Sequence, residues 1–462
     1  MSQKHPQNVL NYYFIGIGGI GMSALARYFL KNKNNVGGYD KVSTKLTENL
    51  KNEGCWLHHI DDIREVPEIF LDKKHTVVVY TPAVSNLNNE LAYFREKGYR
   101  VLKRSEVLGD VTQFSKGLCV AGTHGKTTTS TLLAHILNQS TWKCNAFLGG
   151  ISTNYNSNYI YDNESEYTVI EADEYDRSFL KLKPYCSIIT SVDPDHLDIY
   201  SGENDFFNGF QEYVELIDKS GVCVVKYGIG LNSSSRMVSY SIENKLADYY
   251  GYDLHVVDSK FYMKVLMPNK KVEILEIGLP GIHNAENALS CVALLSELGM
   301  EFERIAYGIR TFLGVKRRFE YIIRSSNMVY IDDYAHHPSE LNVLIDSIKL
   351  IYPNWKIYMI FQPHLYSRTR DFMGFFANQL SRVDDLTLLP IYPAREEAIP
   401  GINSNALLDQ INIDDKRILP LENVVEFFDD IDKGVVLTVG AGDINLLVST
   451  LKNVLLKNSS TL

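Results

Sequence analysis

Short apolar runs that end in glycine, aspartate or proline recur along the chain. Stretches with helical spacing separate them, the alternation that parallel α/β sheets produce. The first run, Tyr12-Tyr-Phe-Ile15, passes into Gly16-Ile-Gly-Gly-Ile-Gly21 and predicts a helix through Leu30, with further short strands ending at Asp40 and Pro82. This block closes near Val107. A second block opens with a strand over Gly117 to Val120 and continues with strands at Tyr167 to Ile170 and Ser187 to Thr190. Antiparallel hairpins are expected between Gly221 and Glu276, around Pro268-Asn-Lys-Lys271, and the block's last helix begins near Ala285. A third block places strands at Met328 to Ile331, Lys356 to Phe361, Leu386 to Pro390 and Val435 to Val439, each followed by a loop and a helix. No short tandem repeat, low-complexity tract or long linker interrupts the pattern.

At 462 residues the chain exceeds what one core supports, and two or three domains are expected. Hydrophobic residues at 45% and charged residues at 22% describe an ordinary globular composition. The formal net charge of -10 argues against a general nucleic-acid binder, whose affinity rests on clustered Lys and Arg. Cys55, Cys119, Cys144, Cys186, Cys223 and Cys291 stand singly, without zinc or redox spacing, as thiols do in a reducing cytoplasm. The polar start of the chain has no signal-peptide core, and no run is apolar enough to cross a bilayer. A cytoplasmic location without membrane insertion is expected.

The most informative stretch is Val120-Ala-Gly-Thr-His-Gly-Lys-Thr-Thr-Thr129, where an apolar strand feeds a glycine turn and then a helix start. Gly122, Thr123, His124 and Gly125 let backbone N–H groups approach phosphate oxygens, Lys126 supplies a point charge, and the Thr127 and Thr128 hydroxyls lie at the helix start. Thr127 can offer its hydroxyl to Mg²⁺. The spacing is shorter than in the common P-loop, because only Thr123 and His124 separate the two glycines.

Gly16, Gly18 and Gly21 match the dinucleotide fingerprint, with Asp40 placed 24 residues beyond Gly16. Such a turn serves close packing or any nucleotide diphosphate, NAD included. Thr81, Pro82 and Ala83 end another strand that would line the same crevice. In the second block, Glu171 closes an apolar strand, Asp173 and Glu174 follow, and Asp195-His-Leu-Asp198 places His196 beyond another strand. Carboxylates beside a phosphate loop suit Mg²⁺, and His196 reads either as a turn histidine or as part of a second Mg²⁺ site. Asn284 and Asn287 read as capping residues or as amides that meet an adenine edge. Lys316-Arg-Arg-Phe-Glu320 sets two guanidinium groups at the join of the second and third blocks, where an arginine can stabilise transferring phosphoryl charge. His336 and His337 point in different directions, so a shared metal is not expected. Three classes remain open on the residues alone: an ATP-using transferase or ligase, an NAD-dependent oxidoreductase, and a nucleotide-binding regulator.

The ordered set of motifs resembles the Mur ligase superfamily, and within it the branch that adds L-alanine. It runs from Gly16-Ile-Gly-Gly-Ile-Gly-Met-Ser23 through Gly122-Thr-His-Gly-Lys-Thr-Thr128, Glu171-Ala-Asp-Glu174, Asp195-His-Leu-Asp198, His283-Asn284, Arg317-Arg-Phe319, Asp332-Asp-Tyr-Ala-His-His-Pro338 and Phe361-Gln-Pro-His364 to Gly440-Ala-Gly-Asp443. The short phosphate-loop spacing is the one that superfamily uses. The resemblance implies an α/β chain of three domains: a Rossmann-like domain for the UDP-sugar over 1–108, a central ATPase over 109–314, and a Rossmann-like domain over 315–462 that closes on ATP and the amino acid. It implies that ATP phosphorylates the lactyl carboxylate of UDP-N-acetylmuramate and that L-alanine attacks the acyl phosphate. The nearest alternative is a murein peptide ligase that joins a recycled tripeptide to the same sugar.

Position by position, the resemblance implies that Lys126 screens the β/γ-phosphates, that Thr127 holds one Mg²⁺, and that Glu171 with His196 holds a second. His283, Asn284 and Asn287 are implied as adenine contacts, Arg318 as a phosphate contact and Asp333 as a ribose contact. Tyr334, His336 and Arg368 are implied at the amino acid and acyl phosphate. Gly18, Gly19, Asp40, His59, Thr81, Pro82 and Ala83 are implied at UDP, with His58 standing beside His59. Two departures stand out. Leu365 occupies a slot that is commonly arginine, and Gln211 and Glu212 lie where sister ligases carry a carbamylated lysine, so no such adduct is expected.

Overall fold

The computed structural model describes residues 10–194, 200–257, 260–394 and 396–459. Three sheets follow one another along the chain. The first has five parallel strands in the order Trp56–His58, Asn35–Tyr39, Asn11–Ile15, Thr76–Tyr80, Arg100–Lys103. Alternation along Asn11–Ile15 sends Tyr13 and Ile15 into a cluster with Val78, Phe70, Leu91 and Phe94. Phe14 goes to the other face, with Met22, Leu25 and Phe29 of the helix Ile20–Lys31. Because both faces are covered by helices, the strands read as near-continuous apolar runs.

The second sheet has ten strands, in the order Val272–Ile277, Lys260–Leu266, Tyr249–Val257, Arg236–Ser241, Val222–Lys226, Pro184–Ile189, Lys116–Ala121, Tyr167–Glu171, Asn145–Ser152, Ser157–Ile160. Lys116–Ala121 is flanked by parallel neighbours on both sides, so the phosphate loop leaves the carboxyl edge of a buried strand. The expectation of antiparallel hairpins throughout Gly221 to Glu276 needs correction. Val222–Lys226 pairs in parallel with Pro184–Ile189 on one side and with Arg236–Ser241 on the other, and Tyr240 and Ser241 pair in parallel with Tyr249 and Tyr250. The expected turn around Pro268 is present at Met267–Lys271, where Met267 N donates to Lys271 O at 2.9 Å. Gly228 and Gly230 resemble hairpin punctuation in the sequence, but their loop carries the chain back for a parallel strand.

The third sheet runs Glu320–Arg324, Met328–Asp333, Gly434–Val439, Ile357–Phe361, Asp385–Leu388, Lys416–Ile418. All its neighbours are parallel except the edge strand Glu320–Arg324, which the apolar pattern does not single out. By contacts the chain divides into two compact units, one of Met1–Tyr252, Val265–Glu273 and Asn287–Thr311, the other of Asp253–Lys264, Ile274–Glu286 and Phe312–Leu462. All six cysteines are buried and unpaired. Among the described residues no helix is long and apolar enough to cross a membrane.

Candidate active site

The phosphate loop is shaped by two glycines in the left-handed region. Gly122 has φ +136°, and a Cβ there would lie 2.1 Å from Thr190 Oγ1, while Gly125 has φ +78° and a Cβ there would lie 2.8 Å from Asn287 Oδ1. Side chains are thus excluded by conformation and by space together. The loop is braced from the neighbouring strand end: His124 N donates to Ser191 Oγ at 3.0 Å, Thr123 Oγ1 to Asp193 O at 2.7 Å, and Thr190 Oγ1 to His124 O at 2.5 Å. Asn287, implied at adenine, therefore also packs on the loop itself. Thr128 stands beside Thr127 in the first turn of the helix Lys126–Gln139.

Lys126 folds back over its own loop. Its Nζ donates to Gly122 O at 2.6 Å and to Glu174 Oε1 at 2.8 Å, and Glu174 is 1% exposed. Burial raises the Glu174 carboxyl above its ordinary value, and the ammonium of Lys126 pulls it back. Sequence reasoning named Glu174 only as one member of an acidic turn, and its pairing with Lys126 is a long-range contact without a local signature. Thr127 Oγ1 donates to Glu171 Oε1 at 3.1 Å, and Glu171 Oε2 accepts from Gly149 N at 3.0 Å. Two hard oxygens, a hydroxyl and a carboxylate, thus meet next to the phosphate loop, a donor set that suits Mg²⁺. His196 lies outside the described residues.

In the N-terminal sheet, Asp40 Oδ2 accepts from Gly18 N at 2.7 Å, so the expected ribose acid also sets the shape of the glycine loop. Beside it, His59 Nδ1 lies 2.7 Å from Asp40 O, where the carbonyl accepts and Nδ1 must donate. The neighbouring His58 turns inward, 2.8 Å from Tyr13 Oη and 3.2 Å from Glu90. His59 is thus the one at the loop and His58 belongs to the core. Gly19, Ile20, Gly21, Thr81 and Ala83 line a cavity of about 300 Å³ together with Gly149, Glu171 and Asp173. Pro82 sits in the turn between Thr81 and Ala83.

The second unit holds its own polar cluster. Asp333 accepts from Phe319 N at 2.7 Å and Ala335 N at 2.8 Å, and burial pushes its carboxyl up to about 6. The Arg318 guanidinium lies 5.6 Å from the centre of the Tyr334 ring, and Arg317, which donates to Gly440 O at 2.5 Å, lies 4.9 Å from it. The His336 ring is 5.3 Å from that of Tyr334 and 6.0 Å from that of His364, and Arg368 Nη1 is 3.4 Å from His364 Nδ1. Tyr334, His336, Arg318 and Arg368 therefore gather as expected, with Arg317 and His364 as members that sequence reasoning did not assign. Burial lowers His336, and it lowers His364 to about 4 with help from Arg368. Leu365 adopts φ +71° ahead of the helix Tyr366–Leu380, with its N–H on Tyr392 O at 2.9 Å. In the same unit, His283 is pushed down to about 4 by burial, with its Nδ1 lacking a hydrogen-bond partner, and Asn284 Nδ2 donates to Pro280 O at 2.8 Å. Gln211, at the position compared with a carbamylated lysine, bonds Asn232 through both amide atoms.

Comparisons with known proteins show the family. Models of the Mur ligase family, catalytic domain, the Mur ligase middle domain and the Mur ligase, glutamate ligase domain match residues 11–116, 120–295 and 317–450. The UDP-N-acetylmuramate--L-alanine ligase of Parabacteroides distasonis is 46% identical over 96% of this chain and 97% of its own length. That of Cytophaga hutchinsonii is 44% identical over 96% and 97%. Among solved structures, the UDP-N-acetylmuramate-alanine ligase of Thermotoga maritima superposes with a TM-score of 0.84 at 27% identity, covering 98% of this chain and all of that one. A murein peptide ligase from Psychrobacter arcticus shares the fold, with a TM-score of 0.69 at 21% identity over 96% and 98% of the two chains. From its amino-terminal glycine loop to its last sheet, the chain belongs to the Mur ligase family.

Proposed function

We propose that this chain joins L-alanine to the lactyl carboxylate of UDP-N-acetylmuramate, with ATP as the activating substrate. The observation that carries the reading is one cavity lined both by the glycine loop with Thr81 and by Glu171, with Glu171 hydrogen-bonded to Thr127 of the phosphate loop. A sugar nucleotide held by the glycine loop then reaches toward Glu171, beside which a γ-phosphate would lie. The relatives that carry the alanine-ligase name, at 42–46% identity over nearly the whole chain, support the same reading. Residues 1–108 are assigned to the UDP-sugar, 109–314 to ATP, and 315–462 to the amino acid and the outer side of ATP. The reaction belongs to the cytoplasm, where ATP and UDP-sugars are made.

A carboxylate is a poor electrophile, so it must first exchange an oxygen charge for a leaving group. A lactyl oxygen attacks the γ-phosphorus and ADP departs. The free amine of alanine then attacks the carbonyl carbon, and the tetrahedral intermediate expels phosphate as the amine loses a proton. Lys126 neutralises charge on the β/γ-phosphates, and Glu174 fixes where that ammonium stands. Thr127 and Glu171 are the residues that would hold one Mg²⁺, and Glu171 with His196 a second. When bound, the ions would screen phosphate charge between nucleophile and leaving group.

By the family resemblance, His283, Asn284, Asn287 and Asp333 are assigned to the adenosine. Arg318 is assigned to phosphate, and Tyr334, His336 and Arg368 to alanine and the acyl phosphate. His336 Nδ1 lies 2.9 Å from Tyr334 O and must donate there, so the neutral ring keeps the Nε2 lone pair free to accept a proton from the alanine ammonium. Phosphate release with ATP, Mg²⁺ and UDP-N-acetylmuramate tests the reading, with L-alanine, glycine, L-serine and the L-Ala-γ-D-Glu-meso-diaminopimelate tripeptide as acceptors. L-Alanine is expected to be the best acceptor, and activity with the tripeptide alone would replace this reading by the recycling one.

A further inference from the structure

Two cations at the join of the strand Arg100–Lys103 and the helix Arg104–Thr112 face two acids that follow the strand Tyr167–Glu171. They are bound differently. Lys103 Nζ donates to Asp176 Oδ2 at 3.0 Å, a made hydrogen bond away from the cavity. Arg104 Nη2 stands 3.5 Å from Asp173 Oδ2, longer than a charge-assisted hydrogen bond, and both residues line the cavity. The guanidinium also lies against the glycine loop: a Cβ at Gly21 would come within 2.8 Å of Arg104 Nη1. A side chain at Gly21 would therefore have to displace this guanidinium. The other charged residues that line the cavity are Glu171 and Asp173, so Arg104 is the one cationic residue among those that line it.

From this geometry we infer that Arg104 binds the diphosphate of the sugar nucleotide, with its guanidinium closing over phosphate oxygens seated on Gly19 to Gly21 and exchanging its loose pairing with Asp173 for them. The inference rests on the UDP-sugar reading above and adds a residue to it. A planar fork with several donors suits two neighbouring phosphate oxygens, which a lysine would meet only as a point charge. Asp173 holds the guanidinium near the loop before the ligand arrives. No covalent step is involved, and the effect falls on binding.

The test is calorimetric titration of the full chain with UDP-N-acetylmuramate and with UDP-N-acetylglucosamine, which has the same diphosphate and no lactyl carboxylate. Arg104→Gln is expected to weaken both ligands by about 10-fold to 100-fold and to raise KM for the sugar substrate while leaving KM for ATP unchanged. Arg104→Lys is expected to recover part of the loss. Lys103→Gln removes the neighbouring ion pair across the same seam and is expected to leave both affinities unchanged. Equal losses in the Arg104 and Lys103 variants would make Arg104 a mere tie between segments and overturn the inference. A loss confined to UDP-N-acetylmuramate would move the contact to the lactyl carboxylate and overturn the diphosphate assignment. Unchanged affinity in Arg104→Gln, with normal binding by the wild type, would overturn this inference alone. Failure of the wild type to bind either nucleotide would overturn the UDP-sugar reading along with it.

Discussion

Lys126 Nζ and Glu174 Oε1 stand 2.8 Å apart, with the carboxylate almost wholly buried and the ammonium 14% exposed on its side chain. The lysine of the phosphate loop is thus held by an acid from the segment after the next strand of the sheet. A phosphate arriving at the loop offers the ammonium a second anionic partner. Glu174→Gln keeps the shape and removes the charge, and is expected to cost about 1–2 kcal/mol of stability. ADP should restore much of that difference, because its phosphates supply the missing negative charge. Urea unfolding with and without ADP checks this, and a deficit indifferent to ADP would refute it.

Lys126→Ala is expected to lower turnover by about 10²-fold to 10³-fold, the range lost when one preorganised charge partner is removed. UDP-N-acetylmuramate affinity should remain nearly intact, since the glycine loop, Asp40 and His59 sit on a different sheet. Calorimetry showing lost sugar affinity would contradict the separation of the two sites.

Asn158 is fully buried and joins the strand Ser157–Ile160 to the helix that follows the glycine loop. Its Nδ2 donates to Ile20 O at 2.5 Å and Ser23 Oγ at 2.9 Å, and its Oδ1 accepts from Arg27, which also chelates Glu53. Asn158→Ala removes these buried hydrogen bonds and should destabilise by about 1–3 kcal/mol. Asn158→Asp, which restores the acceptor for Arg27 only, should recover part of it. Denaturant midpoints of the two variants decide the matter.

Asp333 carries its carboxyl at about 6 against an ordinary 3.8, with burial as the main cause and the N–H groups of Phe319 and Ala335 opposing it. The folded state therefore binds more protons than the unfolded state between those values, so raising the pH favours unfolding there. Relative to Asp333→Asn, wild-type stability should fall as the pH rises from about 4 to about 6 and stay level above. A difference that rises across the window would give the opposite sign and reject the assignment.

His336 is lowered from 6.5 chiefly by burial, which favours the neutral ring, while Glu340 pulls the other way. Activity in the alanine half-reaction should hold through pH 6.5, where an ordinary imidazole is half protonated. His336→Gln should lower kcat by about 10²-fold to 10⁴-fold, as for loss of a positioned base, with little change in ATP binding. An acid limb centred on 6.5 in the kcat profile would count against a buried neutral ring.

Much of the site was legible because its devices are local. A strand running into Gly122-Thr-His-Gly-Lys126 leaves the chain few conformations, and the observed φ values of Gly122 and Gly125 are the ones side chains disfavour. In the Gly16 to Gly21 loop Gly16 alone has such a value, φ +86°. His58 and His59 could not be separated by pattern, since they are adjacent at the end of one short strand. The structure separates them through Tyr13 and Glu90, which lie far away in sequence. The strands between Val222 and Tyr250 misled for the opposite reason: glycine and serine mark a turn without saying whether the next strand pairs parallel or antiparallel.

The sequence by itself determined the α/β class, the order of the motifs and the family, because strand-to-glycine junctions and their spacing are fixed by neighbouring residues along the backbone. Only the tertiary structure decided that Glu174 partners Lys126, that Glu171 is pinned by Gly149 and Thr127, and that Arg104 rests on Gly21 in the cavity. Those contacts join segments separated by tens of residues, and each depends on which strands lie side by side and on how deeply a charge is buried. Neither property is written in any short stretch of the chain.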